Sequence, residues 1–270
     1  MEQHGSNNKI NVIAVIPARY ASTRLAGKLL LEIDGKPLIL HTLAQVKMAS
    51  NVSWVIVATD NSLIFDVVTK SGNEAIMTSS DHESGSDRIA EVAEAFPHGS
   101  IVVNVQGDEP LIAPSTIEQA VAAILSDATV DIATASERFT DFRDVVNANV
   151  VKVVTDSNGR ALYFSRSPIP FPREAVQRHG DIETALTNEP DLLMGFRKHV
   201  GIYAYRREFL LSFTKMQQSN LEKSEMLEQL RALESGARIQ VVKVDETSIG
   251  VDTQDDFQRA KTSIENARQA

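Results

Sequence analysis

Residues 10–16 are almost continuously apolar, the pattern of a parallel strand covered on both faces. Pro17 follows, and proline lacks the N–H that a ladder needs, so the pattern predicts that the strand stops there. Gly35-Lys36-Pro37 turns the chain, and Pro37 is placed to open a helix whose apolar face includes Leu40, Leu43 and Val46. Residues 52–58 predict a second strand, closed by Thr59-Asp60. Leu63, Ile64, Val67 and Val68 give the next helix its face. A short strand is expected at 74–77, a polar loop at 78–86, a helix from about 87 to 96, a strand at 101–105 and a helix from about 115 to 125. Strand and helix in regular alternation predict right-handed crossovers and a mostly parallel α/β sheet.

The middle of the chain breaks this rhythm. Residues 130–136, 150–155 and 161–165 read as strands joined by turns, and Asp156-Ser157-Asn158-Gly159 predicts a hairpin between the last two. Residues 171–197 are polar and proline-bearing and read as a long loop, before a strand at 198–205. A smaller antiparallel lobe, serving dimerisation or sugar binding, is therefore expected at about 137–205 within one domain spanning 10–270. The α/β pattern then returns. Ser219-Asn220-Leu221-Glu222 has the form of a capping box. The helix behind it is expected to bury Leu227, Leu230 and Leu233 and to stop at Gly236. Strands are expected at 239–244 and 249–251, and Thr253 caps a final amphipathic helix.

Composition narrows the chemistry. The 270 residues carry a net charge of −9 and no cysteine. The charge argues against binding nucleic acid or an anionic membrane surface. The missing thiols exclude disulfides, zinc–thiolate sites and a cysteine nucleophile. No apolar run approaches the roughly 20 residues that span a bilayer. The polar stretch 1–9 reads as a short disordered leader on a cytoplasmic protein.

Against this acidic background, no Asp or Glu occurs between Glu2 and Glu32, while Arg19, Arg24 and Lys28 do. The loop after the first strand is thus a local positive field among small residues, suited to a polyphosphate. It is not a P-loop, because Leu29 follows Gly27-Lys28. Ligands of open α/β sheets bind beyond the carboxyl ends of the strands. The other unusual polar clusters fall there too: Ser84–Arg88, Gln106–Asp108 and Asp252. Taken singly, the first also reads as a helix start with Ser86 as its cap, and Asp108 as a turn residue. Taken together they suit phosphoryl chemistry. Asp108 and Asp252 would hold Mg²⁺, a hard cation, and the cations would neutralise phosphate. A second set, Arg166, His199, Tyr203, Glu228 and Gln229, suits a polyhydroxylated acid. The same residues also read as a packed His–Tyr pair and a solvated helix face.

Five stretches carry a resemblance: 16–28 (IPARYASTRLAGK), 104–111 (NVQGDEPL), 161–170 (ALYFSRSPIP), 198–206 (KHVGIYAYR) and 227–234 (LEQLRALE). In order and in content they resemble the 3-deoxy-manno-octulosonate (Kdo) cytidylyltransferases, the CMP-Kdo synthetases. The resemblance implies a nucleotide-diphospho-sugar transferase fold of the glycosyltransferase-A, Rossmann-like type, and a homodimer. It implies Mg²⁺-dependent transfer of CMP from CTP to Kdo with release of pyrophosphate, activating Kdo for lipopolysaccharide synthesis. It places Ala18, Arg19, Ser22, Arg24, Lys28, Ser84 and Arg88 around the nucleotide, and Lys28, Asp108 and Asp252 at the catalytic centre, the two aspartates as metal ligands. Gln106, Arg166, His199, Tyr203, Glu228 and Gln229 match positions around the sugar acid. A sister enzyme acting on 8-amino-Kdo or sialic acid is the nearest rival. A catalytically silent nucleotide sensor and a sugar-1-phosphate nucleotidyltransferase stand further off. Ala26 departs from the family, which reads Pro before Gly-Lys.

Overall fold

The computed structural model describes residues 10–20 and 25–269. At its centre β1 (Val12–Ala18) is buried along its whole length. After a 3-10 turn at Lys28–Leu30 come β2 (Glu32–Ile33), β3 (Lys36–Pro37), α1 (Leu38–Lys47), β4 (Trp54–Thr59), α2 (Ser62–Lys70), β5 (Glu74–Met77), α3 (Gly85–Ala93), β6 (Ile101–Asn104) and α4 (Pro114–Ser126). The middle holds β7 (Ile132–Arg138), α5 (Phe142–Val146), β8 (Lys152–Thr155), β9 (Ala161–Ser165), α6 (Arg173–His179), α7 (Ile182–Asn188) and a 3-10 segment at Pro190–Gly195. Then follow β10 (Arg197–Arg206), α8 (Arg207–Phe213), α9 (Asn220–Glu225), α10 (Gln229–Glu234), β11 (Ile239–Lys243) and α11 (Gln254–Gln269).

The main sheet runs β11-β7-β10-β6-β1-β4-β5. Pairs β6/β1, β1/β4, β4/β5 and β11/β7 are parallel, whereas β10 runs antiparallel to both β6 and β7. Alternation along β1 sorts its side chains onto two cores. Val12, Ala14, Ile16 and Ala18 pack with α1, α2, α4 and α11, while Ile13 and Val15 face α3, α8 and α10. Helices on both faces explain why β1 is apolar throughout. Because β6, β1, β4 and β5 are mutually parallel, the chain leaves all four at one edge. Strand β10, antiparallel to β6, begins at that edge, since Tyr203 sits opposite Asn104 and Arg206 opposite Ile101.

Five expectations need correction. Strand β1 does not stop at Pro17 but continues to Ala18, with Pro17 opposite Ala58. Odd positions of β1 face β6, as the bonds from Ile101 N to Asn11 O and Val105 N to Val15 O show. The ladder between β1 and β6 ends at Val15 opposite Asn104, so proline's missing N–H leaves no partner stranded. Residues 171–197 are not a loop but α6, α7 and a 3-10 segment. The capping-box helix is broken in two, because Met226 adopts a left-handed conformation, φ 52°, between α9 and α10. Residues 249–251 form no strand; the bond from Val251 N to Asp108 O, 2.9 Å, and the burial of Val251 in the core hold them. The cap of α3 is Ser84, in a reciprocal box with Asp87, rather than Ser86. The β8–β9 hairpin forms as expected and joins the main sheet through β10, with Lys198 opposite Lys152. A separate apolar cluster of Phe139, Val145, Leu186 and Phe196 lies within 137–205.

Candidate active site

The site is built at the sheet edge where β1 and β6 end. Gly27 takes a left-handed conformation, φ 62°, and the added carbon of any other residue would lie 3.5 Å from the ring of Tyr20. That turn starts the Lys28–Leu30 segment and aims Lys28 back across the edge. Gly107 fits because a side chain there would lie 3.1 Å from Pro17 O, and the close approach draws Asp108 against the end of β1. The bond from Val251 to Asp108 O brings in the segment before α11, where Asp252 N and Thr253 N both donate to the Asp256 carboxylate.

Lys28 Nζ therefore donates to Asp108 and, at 2.8 Å, to Asp252 Oδ1. These contacts join positions 80 and 224 residues apart. Burial works against the ammonium, but the two carboxylates outweigh it and hold the Lys28 pKa above the ordinary lysine value. Two carboxylates that converge on one cation form a hard-oxygen cradle fitting Mg²⁺. Among the described residues no group of three or more His, Asp or Glu could hold a metal unaided. Remaining ligands would have to come from water and phosphate, the usual arrangement for Mg²⁺ bound with a nucleotide.

Of the residues expected around a nucleotide, Ala18 ends β1, fully buried opposite Thr59. Arg19 donates to His82 O at 2.6 Å and borders an open cavity with Tyr20, Asp60, Asn61 and Ser80. Ser22 and Arg24 lie outside the described residues. Ser84 caps α3, its hydroxyl accepting from Asp87 N at 3.1 Å. Arg88 is wholly buried, donating to Thr78 and, at 2.7 Å, to Asp60 Oδ2. Its guanidinium braces the end of β4 from inside and presents no face to a ligand.

The residues expected around a sugar acid gather less tightly. Strand β10 shifts register between Val200 and Tyr203, and Gln106 packs beside this bulge at Gly201. His199 sits edge-on to Phe164 and 5.3 Å from the Tyr203 ring, and shares a 3.0 Å hydrogen bond with Thr134 Oγ1. Burial pushes its pKa down to about 3, so the ring is neutral. Burial likewise raises the Tyr203 phenol well above its usual value. Glu228 accepts from Ser86 Oγ at 2.7 Å and from Arg231 at 2.9 Å, and burial holds its pKa above the normal carboxylate range. Gln229 is buried at the start of α10. Arg166 spreads its guanidinium over the carbonyls of Ala148, Glu225 and Met226.

A family model described as "Cytidylyltransferase" matches residues 13–239. The 3-deoxy-manno-octulosonate cytidylyltransferase of Trichlorobacter lovleyi is 52% identical over 252 residues, covering 93% of this chain and 98% of that protein. Its namesake from Geobacter sulfurreducens is 48% identical over 250 residues, covering 93% of this chain and 98% of that one. The chain belongs to the 3-deoxy-manno-octulosonate cytidylyltransferase family. The solved structure of a CMP:2-keto-3-deoxy-manno-octonic acid synthetase complexed with CTP superposes with a TM-score of 0.84 at 38% identity, covering 95% of this chain and 99% of that one. A 4-diphosphocytidyl-2C-methyl-D-erythritol synthase from Anaerococcus prevotii, 14% identical with a TM-score of 0.59, shares the fold.

In this cytidylyltransferase four of the expected residues line two larger cavities, which Lys28, Asp108, Gln106, Arg166, Tyr203 and Gln229 do not line. One, of 440 Å³, is shared by Asp252 and His199; the other, of 790 Å³, by Ser84 and Glu228. The smaller cavity also holds residues that sequence reasoning passed over. Glu137, 2% exposed, pairs with Lys198 Nζ at 2.6 Å and accepts from Ser248 N at 3.1 Å. Glu109 accepts from the Ser248 hydroxyl, and burial lifts its pKa to about 7. The available signal for Glu109 was its place directly after Asp108 in Gly-Asp-Glu-Pro. Glu137 carried none, because its partner Lys198 is remote in sequence.

Proposed function

We propose that this cytidylyltransferase transfers CMP from CTP to the anomeric hydroxyl of Kdo and releases pyrophosphate; its relatives are named 3-deoxy-manno-octulosonate cytidylyltransferases. The observation that carries the reading is the Lys28 ammonium held between Asp108 and Asp252 at the sheet edge. That edge supplies both a cation for a triphosphate and paired carboxylates for a metal.

In the proposed reaction the Kdo hydroxyl oxygen attacks the α-phosphorus in line. An O–P bond forms, the bond to the β-phosphate oxygen breaks, and the hydroxyl proton passes to water. Lys28 stays charged at neutral pH because its two carboxylates favour the ammonium. It is placed to exchange a carboxylate for phosphate oxygens as the nucleotide enters, stabilising charge on the departing pyrophosphate. Asp108 and Asp252 would hold Mg²⁺, which would neutralise triphosphate charge and make the acid's hydroxyl a better nucleophile. Arg19 would meet phosphate, with Ser22 and Arg24 of the same loop. Arg88 acts one layer behind, by fixing Asp60. The neutral His199 ring, with Tyr203, Gln106 and Glu228, would meet the sugar hydroxyls, and Arg166 its carboxylate. We further propose a homodimer acting in the cytoplasm in lipopolysaccharide synthesis. No helix among the described residues is long and apolar enough to cross a membrane.

Pyrophosphate release, measured over CTP, UTP and GTP against Kdo, 8-amino-Kdo and sialic acid, tests the reading. CTP with Kdo is expected to give the highest kcat/KM; preference for another acid or nucleotide overturns it. Asp108→Asn should cut kcat by about 10²-fold or more at an unchanged melting temperature, the scale of losing one preorganised charge at a reacting phosphate. Near-normal turnover removes Asp108 from the metal site.

A further inference from the structure

Among the described residues, Lys152 is the most deeply buried cation outside the site just described, with a fully buried side chain and no carboxylate in hydrogen-bond contact. An ammonium carries three N–H bonds. Here they go to three backbone carbonyls: Asn147 at 3.0 Å, Val150 at 2.6 Å, and Arg166. The first two belong to the short link between α5 and β8. This link is a wall of the 440 Å³ cavity, into which Asn147, Asn149 and Val150 face alongside His199 and Asp252. The third carbonyl belongs to the residue whose guanidinium donates back to Ala148 O, in the same link, at 3.0 Å. Val151, next to Lys152, accepts from His199 N at 2.9 Å. One buried ammonium thus ties together the cavity wall, the backbone of Arg166 and the strand that carries His199.

We propose that Lys152 is a positioning residue for the acid-binding half of the site: its saturated ammonium fixes the 147–150 wall and Arg166 so that the cavity is formed before the sugar acid arrives. The inference rests on the cytidylyltransferase reading above for the identity of the acid. The wall's dependence on Lys152 does not. A hydrophobic contact could not replace this function, because Val150 O and Arg166 O would lose the ammonium as donor, while Asn147 O alone keeps a second one, Val150 N at 3.1 Å. Among the described residues, none of the Lys152 hydrogen bonds reaches the Lys28–Leu30 segment, so the nucleotide half should be indifferent to it.

The arrangement has a pH signature. Burial lowers the Lys152 pKa to about 8, with Glu225 raising it, Arg166 lowering it and Asp144 raising it in turn, while Lys198 stands opposite on β10, paired with Glu137. Above that pH the neutral amine has two N–H bonds for three carbonyls, and one link of the knot is lost. The folded-state value lies below that of free lysine, so between it and about 10.4 the unfolded chain holds more protons. Global stability from this group therefore does not fall over that window, while the local bond does.

Two measurements on the full-length protein test the proposal. In Lys152→Met, which keeps an unbranched stem, the KM for Kdo should rise about 10-fold or more, while the KM for CTP stays within about 2-fold. Wild-type KM for Kdo should climb above pH 8 and that of the variant should not. Hydrogen–deuterium exchange of the unliganded protein should accelerate at residues 147–151 and 166–167 in the variant, and not around Lys28. Unchanged exchange there, or equal losses for both substrates tracking a lower melting temperature, overturns the proposal. If Lys152→Met fails to fold, a wild-type KM for Kdo that stays flat through pH 8 to 9 overturns it equally. If wild-type protein does not use Kdo, the functional reading fails, and the exchange measurement still decides what Lys152 holds.

Discussion

His199 shows how little of a residue's chemistry its letter gives. Hydrogen-bonded to Thr134, edge-on to Phe164 and tilted against Tyr203, it is held neutral by burial to a pKa of about 3. The unfolded chain protonates its histidine near 6.5, so between those values the unfolded state binds more protons. Stability from this site is present at neutral pH and is lost as pH falls from about 6.5 toward 3, at up to about 1.4 kcal/mol per pH unit. Denaturant melts from pH 7 to 4 should therefore slope less steeply in His199→Gln than in wild type; equal slopes would place the ring in water. The charged residues of the site were legible because they break an otherwise acidic or apolar pattern: Arg19 and Lys28 in a stretch without carboxylates, Asp108 in a turn, Asp252 before a helix. What they do was less legible. Arg88 looked like a ligand contact, but it is wholly buried and donates to Thr78 and Asp60, 10 and 28 positions away along the chain. Lys152 and Glu137 sit in strand patterns where a lone charge reads as a solvated position, and only the pairing of β8, β7 and β10 encloses them.

Among the elements, those with a strong period or a cap were readable from sequence, and the failures are specific. Residues 171–197 carry too few apolar positions to make a stripe: α6 buries only Ala175, and α7 only Ala185 and Leu186. The signal was instead in the turn chemistry, since Gly180 has φ 95° and Asp181 caps α7 by accepting from Thr184 N at 2.7 Å. The break between α9 and α10 was hidden because its left-handed residue is a methionine. Met226 is 76% exposed, so its side chain contributes little packing in return for a conformation that costs roughly 1–2 kcal/mol in L-residues. Met226→Gly should raise stability by up to about 1 kcal/mol after the entropy of glycine is counted. Met226→Val should lower it, since a β-branched residue fits this conformation worst. Thermal melts read both, at about 2–4 °C per kcal/mol for a chain near this size. A drop in both variants would mean that the methionine side chain packs in solution.

For the whole molecule, the alternation of strand and helix foretold the parallel half and the edge where Lys28, Asp108 and Asp252 converge. It could not foretell that β10 enters antiparallel between β6 and β7, because that depends on pairings across the chain. The same section leaves large apolar residues in water: Leu162 is 60% exposed, Phe171 61% and Met194 70%. Apolar surface of this kind is commonly covered by another chain, which supports the proposed homodimer. Sedimentation equilibrium should return twice the monomer mass for wild type and the monomer mass for the Phe171→Glu, Met194→Glu double variant. A monomeric wild type, or a variant that stays dimeric, rejects this surface as the interface.

The salt bridge between Lys28 and Asp252 carries a consequence for how the protein is made. A ribosome delivers residues in order, at about 5–20 per second, and these partners leave it 224 positions apart. A nascent chain can complete the basic loop and the first carboxylate while the second does not yet exist. Half-synthesised or clipped copies can therefore keep the basic loop, yet they lack the pair of acids on which the proposed chemistry depends.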